Sequence, residues 1–143
     1  MGILTDRDRV AVTDELAKLA GPVKLVVFGA QLGDGAEYSV ETERLVREVA
    51  ECSDRVAVEV YNLHIDREKA AGYGVDRVPA VVVEGARDYG IRFFGIPAGY
   101  EFSNLIDAMQ VAASGEPKLS PETLERVRGL TNPVHIQVFT TPT

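Results

Sequence analysis

Pro22-Val-Lys-Leu-Val-Val-Phe28 is the stretch that decides the fold of this chain of 143 residues. Its β-branched and apolar residues predict a strand that is buried on both faces. Before it, Thr5 is a suitable N-cap for a helix, and after it the glycine-rich loop Gly29–Gly35 leads into a second helix over residues 37–50. The residues expected to face inward are Val10, Val12, Leu16 and Leu19 in the first helix, and Val40, Leu45, Val46 and Val49 in the second.

Together with these three elements, the sequence after residue 50 predicts a mixed sheet with helices on both of its faces. Alternation and β-branched runs predict strands, and helical spacing predicts helices. The expected strands cover residues 55–61, 79–84 and 91–94, and the expected helices cover residues 67–71 and 99–113. The first two strands must be parallel with a right-handed crossover, whereas the last two form an antiparallel hairpin. This element order predicts an α/β protein with a thioredoxin-like, four-stranded sheet.

Composition and charge exclude several classes of partner. The formal net charge is -7, which argues against nucleic acid and against an anionic membrane surface as the main partner. No apolar run approaches the roughly 20 residues that cross a bilayer. The first ten residues contain Asp6 and Asp8 and lack a long apolar core, so we expect no signal peptide and a cytoplasmic protein.

The end of the sequence repeats its beginning. Pro133-Val-His-Ile-Gln-Val-Phe139 matches the strand at Pro22 with four identities in seven positions, at an offset of 133 − 22 = 111 residues. Ser120 and Pro121 predict a helix before it, and residues 134–139 are predicted to form a strand. We therefore expect a thioredoxin-like unit over residues 1–114, a linker over 115–119 and the truncated start of a second unit over 120–143. The alternative is a final helix and strand that complete one sheet.

Four stretches of the sequence together carry a family resemblance. They are Pro22–Phe28, Val75-Asp-Arg-Val-Pro-Ala80, Gly90-Ile-Arg-Phe-Phe-Gly-Ile-Pro-Ala-Gly-Tyr-Glu-Phe102 and Val134-His-Ile-Gln-Val-Phe-Thr-Thr-Pro-Thr143. With them the chain resembles the N-terminal part of the glutaredoxin-like protein disulfide oxidoreductases, which carry two thioredoxin folds in tandem. It resembles the N-terminal domain of the alkyl hydroperoxide reductase flavoprotein more weakly.

The chain departs from this family at the redox centre. Where the family has CxxC in its first unit, this sequence has Ala36-Glu37-Tyr38-Ser39, and the chain ends where the second CPxC would follow. Disulfide exchange needs an attacking thiolate and a resolving thiol, and this stretch has neither. Cys52, the only cysteine, lies 52 − 36 = 16 positions further on, which is roughly 24 Å along a helix. We expect no catalytic residues here, a hydrogen bond at the helix terminus for Ser39 and a small hydrophobic role for Cys52.

No other catalytic, cofactor or metal pattern stands out in the sequence. The glycines of the loop fit neither a dinucleotide fingerprint nor a phosphate loop, and Asp34 and Glu37 would repel phosphate. These two residues and Glu41 are acids without a histidine or cysteine beside them, as expected near the start of a helix. His64 and His135 have no partner at a zinc spacing. We therefore expect no cofactor and no bound metal.

Val78-Pro79 is the remaining feature that the resemblance interprets. In thioredoxin folds the corresponding bond is cis and faces the CxxC loop, and the backbone before the proline pairs with an extended substrate. The resemblance therefore implies a surface at Val78 and Pro79 that binds a protein or peptide by strand addition. The alternative is a proline that only begins a strand.

Three hypotheses about function follow from these observations. The first is a redox-inactive half of a disulfide oxidoreductase, which docks substrate for a CxxC unit outside this chain. The second is a free-standing binding or dimerisation module that uses the surface at Pro79 or the last strand to hold a partner. For that strand we expect pairing with its copy in a second molecule, which gives a homodimer whose interface includes residues 133–141. The third, an enzyme with chemistry unrelated to thiols, lacks a nucleophile–base pair.

Overall fold

The computed structural model describes residues 2–141 and contains every predicted helix and the four strands of the predicted sheet. A thioredoxin-like order of elements results. The helices are α1 (Asp6–Leu16), α2 (Ala36–Ala50), α3 (Arg67–Gly72), α4 (Tyr100–Ser114) and α5 (Pro121–Arg128), and the strands are β1 (Val23–Gly29), β2 (Val56–Asn62), β3 (Ala80–Glu84) and β4 (Asp88–Phe94). None of the helices within residues 2–141 has the length and apolar character needed to cross a membrane.

The sheet has the strand order β2-β1-β3-β4, so that β1 is one of its two central strands. β1 runs parallel to β2 and antiparallel to β3, and β3 pairs antiparallel with β4. This arrangement confirms the predicted mixed sheet, including the parallel first pair and the final hairpin. β1 is therefore hydrogen-bonded on both sides, which explains why its sequence is almost entirely apolar.

The side chains of β1 supply two cores on opposite faces of the sheet. Leu25 and Val27 point toward the larger core, where α1, α2 and α4 pack, and Val26 and Phe28 point toward the smaller core under α3. This division follows from the two-residue period of a strand. Phe28 is fully buried and its ring stacks on that of Tyr61 at a centroid distance of 5.6 Å.

Two residues predicted to face inward are exposed, which corrects the helical pattern. Val10 is 63% exposed and Val40 is 73% exposed. In α1 the buried positions are Val12 and Leu16. Val10 lies about 200° around the helix from Val12 and therefore on the opposite face. In α2 the inward stripe includes the polar residues Ser39, Thr42 and Glu48, which a pattern based on apolar residues alone cannot find.

The predicted C-terminal strand is wrong for this structure. Residues 134–139 form neither a strand nor a helix, and Ile136, Val138 and Phe139 are 80% exposed or more. α5 precedes this segment as expected, but none of its residues is buried. A strand forms only when a neighbour accepts its backbone hydrogen bonds, and the described sheet stops at four strands. The last two residues, Pro142 and Thr143, lie outside the described part of the chain.

Candidate functional site

The site lies at the edge of the sheet where β1 and β2 end and β3 begins. Gly29 and Asn62 are paired at the ends of β1 and β2, and the residue after Asn62 donates its N–H to the Gly29 carbonyl at 2.9 Å. At the same edge the Val78–Pro79 peptide bond is cis, and Pro79 accepts a hydrogen bond from Gly95 N–H at 2.8 Å. The sheet thereby brings the loop after β1 and the proline together, as the resemblance implied.

The four residues Ala36-Glu37-Tyr38-Ser39, which the resemblance aligns with CxxC, form the first turn of α2. Ala36 is the first residue of the helix, and Ser39 lies one turn further on. Tyr38 is 49% exposed, whereas Ser39 is 6% exposed. A helix N-terminus lowers the pKa of a thiol, but this turn contains no thiol on which the helix could act.

Ser39 makes the hydrogen bonds at the helix terminus that the sequence predicted for it. Its hydroxyl accepts the N–H of Ala30 at 3.1 Å and donates to the carbonyl of Gly35 at 3.2 Å. These partners are the two ends of the loop between β1 and α2. The hydroxyl therefore ties the loop to the helix, and both of these hydrogen-bond partners are backbone groups.

Gly35 approaches the Val78 backbone so closely that only glycine fits. Its φ is +82°, and a Cβ on it would overlap the Val78 carbonyl oxygen and lie 3.4 Å from Pro79 Cδ. Pro79 itself is buried and Val78 is half-buried. Sequence reasoning missed this contact, because the glycine at the helix start looks like an ordinary turn residue and its neighbour is 43 positions away (78 − 35).

The other candidate residues do not join this site. Cys52 follows the opposite end of α2, is half-buried against the larger core, and its Sγ donates to the Glu48 carbonyl at 3.4 Å. His135 belongs to the exposed C-terminal segment, whereas His64 follows β2 near the site edge. Among residues 2–141 no three side chains of His, Cys, Asp or Glu are grouped so that they could hold a metal ion.

Exposed apolar side chains follow the strands that end at this edge of the sheet. Leu32 lies in the loop, Ile65 follows β2 and Tyr100 begins α4, and they are 82%, 80% and 79% exposed. A groove of about 390 Å³ runs between α2 and the ends of β1 and β2. Its polar lining consists of Gln31, Ser39, Glu43, Asn62 and Asp66.

Comparisons with known proteins give relatives for this arrangement, although no protein-family model matches the sequence. The chain is 29% identical over 114 residues to AhpF, a subunit of alkyl hydroperoxide reductase, from Staphylococcus epidermidis. That match covers 80% of this chain and 20% of the relative. Among solved structures, a C503A mutant of AhpF from Enterococcus faecalis aligns with a TM-score of 0.77 at 25% identity, over 89% of this chain and 61% of that one.

A second solved structure aligns equally well. The protein disulfide oxidoreductase of Aeropyrum pernix K1 has a TM-score of 0.76 at 28% identity, with 88% of this chain and 55% of that chain covered. The chain thus spans about a fifth of the length of the curated AhpF relatives that it matches. We conclude that the chain has a thioredoxin-like fold whose structural neighbours are AhpF of alkyl hydroperoxide reductase and a protein disulfide oxidoreductase.

Proposed function

We propose that this chain is a redox-inactive thioredoxin-fold unit that docks a protein or peptide for a catalytic CxxC unit outside this sequence. The observation that carries the proposal is the first turn of α2. There Ala36-Glu37-Tyr38-Ser39 begins the helix without a cysteine, at the turn where the resemblance implies the family's CxxC. Loss of the thiols removes the chemistry but leaves the surface formed by the loop and Pro79.

The surroundings of this turn support a docking role. Leu32, Ile65 and Tyr100 each follow a strand that ends at this edge of the sheet and expose apolar surface, and exposed apolar surface is typical of interaction sites. The relatives are named for redox reactions, so a non-catalytic unit of the same fold is best explained as a support for such a reaction. A test must therefore separate the missing thiol chemistry from the docking.

The experiment measures reduction of a protein disulfide with dithiothreitol as the electron source. We expect the purified chain to give the uncatalysed rate, because no thiol lies in the first turn of α2. A double variant, Ala36→Cys with Ser39→Cys, is the positive control and is expected to accelerate the reaction. A rate that depends on the wild-type chain and that Cys52→Ser abolishes would contradict the proposal.

The coding DNA separates a half-protein from a free-standing module. If codons for a CPxC motif follow the codon for Thr143 in frame, including behind a UGA read as selenocysteine, a catalytic unit continues the same polypeptide. If a terminator without such a motif follows, the docking unit works as a separate module. With either outcome, the activity measurement still tests whether the first turn of α2 lacks disulfide reductase activity.

A second candidate function is self-association, and the C-terminal segment is the observation that favours it. Val134, Ile136 and Val138 alternate along this segment and are 63%, 81% and 80% exposed. We infer that residues 120–143 begin a second thioredoxin-like unit whose first strand pairs with the same strand of a second copy. Such pairing supplies the backbone partners that the segment lacks within residues 2–141.

A further inference from the structure

The loop between β1 and α2, Ala30–Gly35, is held at both ends by one hydroxyl group. We call it the cover loop. Ser39 Oγ accepts the Ala30 N–H at 3.1 Å and donates to the Gly35 carbonyl at 3.2 Å. Ser39 is 6% exposed and lies on the inward face of α2. Its hydrogen bond with Ala30 is buried, and its hydrogen bond with Gly35 is partly buried.

The cover loop contacts the Val78 carbonyl, which is one of the two backbone groups that strand addition at Val78 requires. Gly35 is in close contact with the Val78 carbonyl oxygen, and a Cβ at this position would overlap that oxygen. The Val78 N–H has no backbone partner within residues 2–141. An extended peptide pairs with a residue through both its N–H and its C=O. One half of the pairing site at Val78 is therefore free, and the other half is covered.

We propose that Ser39 is a positioning residue that latches the cover loop over Val78, so that an extended peptide pairs there only after the loop lifts. This inference rests on the docking function proposed above. Leu32 in the cover loop is 82% exposed, and the peptide that we expect to bind is apolar in its middle and basic at its ends. Asp34 and Glu37 lie within two positions of Gly35 in the sequence, and the chain carries a net charge of -7, so an acidic peptide is repelled.

Two pairs of variants isolate the latch. Ser39→Ala removes the hydroxyl that holds both ends of the loop. Its matched control is Thr42→Val, which removes a hydroxyl that is also buried in α2 and bonds only to the Tyr38 carbonyl at 2.7 Å. Gly35→Ala adds a Cβ that would overlap the Val78 carbonyl oxygen and so displace the loop from Val78. Its control is Gly33→Ala, which imposes the same positive-φ strain at +96° but meets nothing within 4 Å.

The measurements report the loop position and the access of peptide separately. The nuclear Overhauser contact between Gly35 Hα and Pro79 Hδ reports the closed loop. Fluorescence anisotropy of a labelled peptide, Lys-Val-Thr-Val-Thr-Val-Lys, reports binding. We expect Ser39→Ala to weaken the Overhauser contact, and both Ser39→Ala and Gly35→Ala to bind the peptide about tenfold more tightly, as for a site that is open one tenth of the time in the wild type. Both control variants should behave like the wild type.

Two results would overturn the proposal, and they have different meanings. If Ser39→Ala keeps both the Overhauser contact and the wild-type affinity, Ser39 is not a latch, and any peptide binding by the wild type still supports docking. If the contact is lost but no variant gains affinity, the loop does open and Val78 is not the docking site. That second result would also contradict the peptide-binding role at Val78 and Pro79.

Discussion

At the scale of single residues, the carboxylate of Glu48 in α2 binds two backbone N–H groups and two arginine side chains. Its carboxylate accepts the backbone N–H groups of Ile3 and Leu4, both at 2.9 Å. Arg9 and Arg44 each lie 3.3 Å from it. The side chain is only 8% exposed, and it fixes the segment before α1 to the body of the domain. The hydrogen bonds from Leu4 and Ile3 are the main reason that the pKa of Glu48 is lowered.

We expect Glu48→Gln to lower the free energy of unfolding at pH 7 by about 1–3 kcal/mol, because the amide cannot accept both backbone N–H groups. Urea denaturation measures this difference. Since the pKa of Glu48 is lowered in the folded state, its contribution is complete above the pKa of an unfolded glutamate, about 4.3. It is lost as the pH falls through the lowered pKa, so the wild type and the variant should converge in acid.

Glu43→Gln is the matched control for this prediction. Glu43 lies in the same helix and is 39% exposed, and among residues 2–141 its one ion pair is with Arg47, at 2.8 Å. An exposed ion pair of this kind contributes up to about 1 kcal/mol. If the two glutamine variants lose the same stability, or if the loss at Glu48 does not depend on pH, the anchoring role of Glu48 is wrong.

At the scale of secondary-structure elements, the turn of the β3–β4 hairpin packs against the end of α4. Gly85 follows β3, and a Cβ built on it would overlap the carbonyl oxygen of Ala112. This backbone contact places α4 across the sheet. A side chain at Gly85 must therefore displace the backbone of either the turn or the helix. Such a displacement costs more free energy than moving the flexible end of a side chain would.

We expect Gly85→Ala to lower the free energy of unfolding by about 1–3 kcal/mol through this overlap. Gly72→Ala is the control, because Gly72 ends α3 and an added Cβ there meets nothing within 4 Å. That variant should be unchanged or up to about 1 kcal/mol more stable. Chemical denaturation of both variants decides the point, and equal stability would refute the packing argument.

The elements that the sequence predicted correctly are those whose pattern is local. The apolar run of β1 and the N-cap at Thr5 act within a few residues, so periodicity and capping rules find them. The sequence pattern did not predict burial where it depends on residues that are distant in the sequence. It could not place Ser39 and Glu48 inside, because their burial depends on backbone groups that fold onto them from other segments.

The same reasoning explains the outcome for the site and the C-terminal segment. The absence of thiols in the first turn of α2 is visible in the sequence, and the turn's position in the fold followed from β1 and its loop. The contact of Gly35 with Val78 joins residues far apart in the chain, and no local pattern indicates it. Residues 134–139 have the composition of a strand, but strand formation also needs a neighbour, which composition cannot supply.

At the scale of the whole molecule, charge separates the domain from its C-terminal segment. Residues 119–143 contain two acidic and two basic residues, Glu122, Glu125, Arg126 and Arg128, so their net charge is zero. The whole net charge of -7 therefore belongs to residues 1–118. Two copies repel each other over most of their surface but not at the C-terminal segment, where apolar side chains are also exposed. This distribution favours contact between copies at that segment.

We therefore predict that the full chain is a dimer in solution and that a chain ending at Leu119 is a monomer. Light scattering measures both, and the shorter chain should keep its melting temperature within about 2 °C, because no residue of α5 is buried. Ile136→Lys places a charge on the apolar face of the paired strands and should dissociate the dimer. His135→Lys, on the opposite face by alternation, should leave it intact. A monomeric full chain, or a dimer that survives without residues 120–143, would show that this segment does not drive assembly.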